Sequence, residues 1–132
     1  SKGTAMISTE DLKVMGYFDM FENVEAEKDP MKLYGDWAEA LVMTEGTDRL
    51  FENVLGLVGE AGEVAEKVKK LVRDKSKFTD EDVLNELGDV LYYLTVTSHI
   101  FGGSLRKIAE LNMEKLNGRK ERGTLKGSGD KR

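Results

Sequence analysis

Apolar positions recur along this chain at intervals of three and four residues, with no sustained alternation, a pattern that predicts helices and no strands. Pro30 is well placed to open a helix. The segment that follows, MKLYGDWAEALVMT, puts Leu33, Trp37, Ala40 and Leu41 on one face and is expected to stop at Gly46, with Trp37 in the core. Asp48 then caps a longer helix over residues 48–75. Its apolar set, Leu50, Val54, Leu57, Val58, Ala61, Val64, Ala65, Val68, Leu71 and Val72, predicts a wide, deeply buried stripe. Thr79 and Asp82 form a capping-box-like start for a third helix, with Val83, Leu84, Leu87, Val90, Leu91 and Leu94 at helical spacing and Gly102-Gly103 as its stop. Ser104 caps a fourth, running to about residue 120. Residues 8–29 lack one clean period, so a helix and an irregular arm both remain open there.

The predicted class is all-α, a four- to five-helix bundle completed by oligomerisation, because so much apolar helix surface on 132 residues is better buried by association. A single domain is expected over residues 8–122, after a tag or disordered start at 1–7 and before a flexible tail at 123–132. Cysteine is absent, which removes disulfides and thiolate metal sites. The net charge of −5 speaks against a nucleic-acid partner, although residues 115–132 hold seven basic side chains against two acids, leaving room for a local anion site. The longest near-neutral stretch, residues 90–103, is too short and polar to span a bilayer, so no membrane partner and a cytoplasmic setting are expected.

Two acidic pairs interrupt the apolar pattern: Glu60/Glu63 in VGEAGEVAEKVKK and Glu86/Asp89 in LNELGDVLYYL. Spacing of i, i+3 places both members of a pair on one helical face. If the chain folds back between them, four carboxylates converge, and each like-charge pair at 4–5 Å costs roughly 3–4 kcal/mol at an effective dielectric of about 20. That repulsion calls for divalent cations. Oxygen-only donors favour Mg²⁺ or Mn²⁺ over zinc or copper. A di-iron site would want Glu-x-x-His pairs, whereas His99 is the only histidine and reads as structural. A solvated helix surface is the plain reading of any single acidic pair. Against it stand Gly56, Gly59, Gly62 and Gly88, each costing about 1 kcal/mol relative to alanine inside a helix and so expected to serve close packing or ligand approach.

Taken together, the two pairs, their spacer, the glycines and the flanking apolar pattern resemble the MazG-like all-α nucleoside triphosphate pyrophosphohydrolases, the superfamily of dimeric dUTPases and dCTP pyrophosphatases. The resemblance covers residues 55–122. It implies cleavage of a nucleoside triphosphate between the α- and β-phosphates, giving the monophosphate and pyrophosphate, with Glu60, Glu63, Glu86 and Asp89 holding two or three Mg²⁺ ions. Glu60 or Glu63 would also orient or deprotonate the attacking water. Matching onward, Tyr93, Lys70 and the Asn112, Lys115, Arg119 set of NMEKLNGR are implied as nucleotide contacts; the last three stand at i, i+3, i+7 on one stripe. A homodimer or homotetramer is implied as well. The tryptophan-rich base pocket of pyrimidine-specific relatives is not visible, and Lys70 stands where some relatives carry an aromatic, so a purine such as dGTP or GTP is the expected preference. Two other classes stay open: a noncatalytic helical assembly module, and a metal-dependent nucleotide sensor that binds without cleaving.

Overall fold

The structure is a computed structural model, and residues 28–74 and 78–123 are described. They form α1 (Pro30–Ala40), α2 (Gly46–Asp74), α3 (Asp80–Ile100) and α4 (Leu105–Glu121), with no strand among the described residues. The expectations for residues 1–7, for the arm at 8–27 and for the tail beyond Gly123 lie outside the described residues. Two compact units are present: Pro30–Leu105, which holds α1 to α3, and a second to which α4 belongs from Arg106 onward.

Local sequence accounts for the helix ends. Pro30 opens α1, whose last turn tightens through Leu41 N–H to Ala38 C=O and Val42 N–H to Glu39 C=O, both 3.1 Å. The helix therefore stops at Ala40, before the predicted boundary. Gly46 does not end α1 but begins α2, at φ 58°, where a side chain would be strained. At α3 the capping box forms as read: Asp82 N–H donates to Thr79 Oγ1 at 3.3 Å, and Thr79 N–H donates to Asp82 Oδ2 at 2.8 Å. The same helix closes with a Schellman pair, Gly103 N–H to Ser98 C=O at 2.8 Å and Gly102 N–H to His99 C=O at 3.0 Å, with Gly102 at φ 76°.

α2 and α3 run antiparallel, since contacts fall in reverse order along them: Lys67 meets Phe78 and Glu86, Glu60 meets Glu86 and Asp89, and Gly56 meets Tyr93. Among the residues of α2 that are at least partly shielded, Leu50, Asn53, Leu57, Glu60, Val64, Lys67 and Leu71 follow one another at alternating intervals of three and four. Here the structure corrects the expected deep stripe. Phe51, Leu55, Val58 and Val72 form a second seam that is more than half exposed, and the fully buried residue of α2 is polar, Asn53. The physical reason is that, among the described residues, α3 covers one seam of α2, while α2 carries apolar residues over a wider arc.

α1 packs on the C-terminal half of α3, where Thr95, Val96 and Ser98 are buried. The two hydroxyls are satisfied inside the helix, Thr95 donating to Leu91 C=O and Ser98 to Thr95 C=O, each at 2.6 Å. Small residues face them: Ala38 is fully buried, and a Cβ on Gly35 would stand 3.3 Å from His99 Nε2. Glu39 ties the ends of three helices together, accepting from Arg49 at the start of α2 and lying 2.9 Å from His99 Nδ1 on α3. Trp37 is 56% exposed rather than core, with its ring 5.5 Å from that of Tyr34.

Candidate functional site

Antiparallel pairing of α2 and α3 brings Glu60 opposite Glu86 and Asp89, and one carboxylate oxygen from each lies within 4.8 Å of the others. Glu60 and Glu86 are partly buried, Asp89 is exposed. Burial pushes the Glu60 carboxyl above its ordinary range, and the nearby charges of Asp89, Glu86 and Glu63 push it further the same way. Glu63, one turn along α2, is exposed and stands outside this three-residue set, although its charge is felt by Glu60. Lys67 borders the cluster, with Nζ 3.7 Å from Glu86 and 4.7 Å from the centre of the Phe78 ring.

These donors fit a hard divalent cation. Oxygens that share one octahedral Mg²⁺ at about 2.1 Å lie up to about 4.2 Å apart, so a small rotamer change closes the three carboxylates around an ion.

The predicted nucleotide contacts fall in several places. Tyr93 lies one turn beyond Asp89, its ring set directly on α2 at Gly56, where an added Cβ would come within 2.4 Å. Lys70 is partly shielded, with Nζ 4.0 Å from Glu66 in its own helix. Asn112, Lys115 and Arg119 all lie on α4, where Asn112 and Lys115 are exposed and border a cavity of about 600 Å³, whereas Arg119 is buried.

Sequence reasoning missed a second cavity, of about 160 Å³, along the same helix pair. Leu41 to Met43 of the α1–α2 loop, Glu52 and Asn53 of α2, and Tyr92 and Tyr93 of α3 line it. Asn53 Nδ2 donates to Arg49 C=O at 2.7 Å, and Thr44 Oγ1 donates to Glu52 Oε2 at 2.5 Å. Burial raises the Tyr92 hydroxyl, with Tyr93, Glu52, Glu39 and Tyr34 adding to it, and burial likewise raises Tyr34, with Asp89 contributing. One signal was present in the sequence: Asn53 is a polar residue in the seam of Leu50 and Leu57, seven positions before Glu60 and hence on the same side of α2.

An all-α fold whose central helix pair gathers carboxylates around a space suited to a hard cation defines the class. The chain belongs to the MazG nucleotide pyrophosphohydrolase domain family, whose model matches residues 51–124, over half its length. It is 44% identical over 82 residues to the Gene 37 protein of Mycobacterium phage L5, an alignment covering 59% of this chain and 72% of that protein. No solved structure matches it.

Proposed function

We propose that the protein is a cytoplasmic, Mg²⁺-dependent nucleoside triphosphate pyrophosphohydrolase that converts a ribo- or deoxynucleoside triphosphate to the monophosphate and pyrophosphate. The observation that carries this reading is the convergence of Glu60, Glu86 and Asp89 within a family-defining segment. Glu63, one turn from Glu60, completes the proposed ligand set for two or three ions, with Mn²⁺ as a substitute. When bound, such ions neutralise phosphate oxygens and lower the pKa of a coordinated water.

Glu60 or Glu63 orients the attacking water and accepts its proton as the water oxygen bonds to the α-phosphorus. The bond from that phosphorus to the bridging oxygen breaks, and pyrophosphate leaves with the electron pair. Glu86 is held by Lys67, which keeps the α3 carboxylates in register across from Glu60. Tyr93, Lys70, Asn112, Lys115 and Arg119 are the proposed nucleotide contacts, the cations offsetting the charge of the phosphate chain. The exposed apolar seams on α1, α2 and α3 support a homodimer or homotetramer.

The test is to incubate the protein with ribo- and deoxynucleoside triphosphates, with Mg²⁺ or with EDTA, and separate the products. Monophosphate and pyrophosphate, formed only with metal, are expected. Diphosphate with orthophosphate, or Mg²⁺-dependent binding without cleavage, overturns the mechanism; the second outcome identifies a sensor.

A further inference from the structure

We propose that the cavity between the α1–α2 loop, the first turns of α2 and the Tyr92–Tyr93 step of α3 is a nucleobase pocket that selects guanine through the Glu52 carboxylate. The proposal rests on the pyrophosphohydrolase reading and names the base that the same site takes.

Position is the first argument. Asn53 in the cavity floor and Glu60 in the carboxylate cluster are seven residues apart on one face of α2, a rise of about 10 Å. On α3, Tyr93, which lines the cavity and packs on Gly56, is one turn from Asp89. A sugar and its first phosphate bridge a span of that order, so a nucleotide with its phosphates at the carboxylates sets its base in this cavity. Gly56 lies between them and lets the Tyr93 ring rest on the α2 backbone, so that this ring, one turn from Asp89, stands as the wall between the cavity and the carboxylates.

Size and lining agree. A volume of about 160 Å³ is close to that of cavities that take a single benzene ring, so this one, open to solvent, takes one planar heterocycle and little else. Leu41, Val42 and Met43 offer apolar contact, and the Tyr92 and Tyr93 rings offer aromatic faces.

Chemistry chooses the base. Glu52 presents two acceptor oxygens and no donor, and a carboxylate has about four lone-pair sites, so its hydrogen bond from Thr44 leaves both oxygens able to accept. That bond also orients the carboxylate. Guanine alone among the common bases places two N–H donors side by side, N1–H and the N2 amino group. Cytosine and adenine each offer one amino group beside a ring acceptor, and uracil and thymine flank one N–H with two carbonyls, which a carboxylate repels.

The experiment compares the wild-type protein with Glu52→Gln, an isosteric change at an exposed side chain that keeps an acceptor oxygen for Thr44. Steady-state kinetics with Mg²⁺ are measured for dGTP, dITP, dATP and dCTP, dITP being dGTP without the N2 amino group of its base. The wild type is expected to favour dGTP over dITP by roughly 5- to 150-fold in kcat/KM, the range of a good bidentate contact, with the difference in KM. In Glu52→Gln, which offers one acceptor and one donor, that ratio is expected to fall to within about threefold of unity while kcat/KM for dATP changes at least tenfold less than for dGTP. Equal losses on every base would place Glu52 on the sugar or phosphates and overturn the proposal, as would a wild type indifferent to the N2 amino group. Calorimetric binding of dGMP against dIMP and dAMP requires no cleavage. A Glu52-dependent guanine preference there without turnover would support the pocket and sink the reaction, whereas turnover without that preference would do the reverse.

Discussion

Two carboxyls in this chain respond to pH in opposite senses. Burial, then Asp89, Glu86 and Glu63, raises Glu60 above its ordinary 4.5, so its contribution to stability is present at acid pH and is lost as pH rises through the folded value. Glu39 is lowered, first by its hydrogen bond from Arg49 and then by His99, so its contribution is present above 4.5 and is lost as pH falls through its folded value. In EDTA, Glu60→Gln should raise the thermal midpoint at neutral pH and flatten its fall from acid to neutral, while Glu39→Gln should lower the neutral midpoint and flatten the loss on the acid side. Mg²⁺ should raise the wild-type midpoint, as any ligand of the folded state does, and raise that of Glu60→Gln less. Scanning fluorimetry from pH 3.5 to 7.5 with and without metal reads all of these. At the same site Asp89→Asn should lower turnover on the order of 10²-fold or more while leaving the fold intact, since it removes a group that holds transition-state charge in place.

At the scale of elements, glycines inside helices separate packing from open space. A Cβ on Gly56 meets the Tyr93 ring at 2.4 Å, whereas Cβ atoms on Gly62 and Gly88 meet nothing within 4 Å. Gly56→Ala should therefore cost about 1–3 kcal/mol of overpacking, while Gly62→Ala and Gly88→Ala should each gain about 0.5–1 kcal/mol of helix propensity, all measured by urea unfolding. A loss at Gly62 would instead place that turn against a second chain. The expected approach reason thus holds at Gly56 but has no counterpart among the described residues at Gly59, Gly62 or Gly88. What the sequence made legible was local. Pro30, the Thr79–Asp82 box and the Gly102-Gly103 stop act within one turn of themselves, and the ends of α3 fell where they placed them. The acidic pairs were legible because i, i+3 spacing fixes a face, and the pairing of Glu60 with Glu86 and Asp89 needed only the hairpin. Glu63 stands outside that set because its register on α2 carries it to solvent, a difference that spacing alone does not encode. The Glu52–Thr44 wall of the second cavity and the Glu39–Arg49–His99 tie join residues from separate elements, and no periodicity reports such meetings.

For the whole molecule the decisive fact is how few apolar side chains are buried among the described residues. Among the described residues the buried apolar side chains are Ala38 and Val96, while Leu33, Trp37, Phe51, Leu55, Val58, Val72, Leu84 and Phe101 are each more than half exposed. A fully buried side chain of this kind contributes about 1.5–3 kcal/mol, so the second seam of α2 by itself leaves several such contributions unrealised. Polar helix surface does not present four apolar residues at heptad spacing to water, and a second copy carrying the same seam covers it symmetrically. Sedimentation of the wild type should accordingly give a dimer or tetramer at micromolar concentration, with a thermal midpoint that climbs as protein concentration rises. Leu55→Glu combined with Val58→Glu, which adds charge to the seam without touching the Glu60, Glu86 and Asp89 cluster, should shift the mass toward monomer and remove the concentration dependence. A wild type that sediments as a monomer with a concentration-independent midpoint would mean that no second copy covers these seams, and would overturn the symmetric assembly.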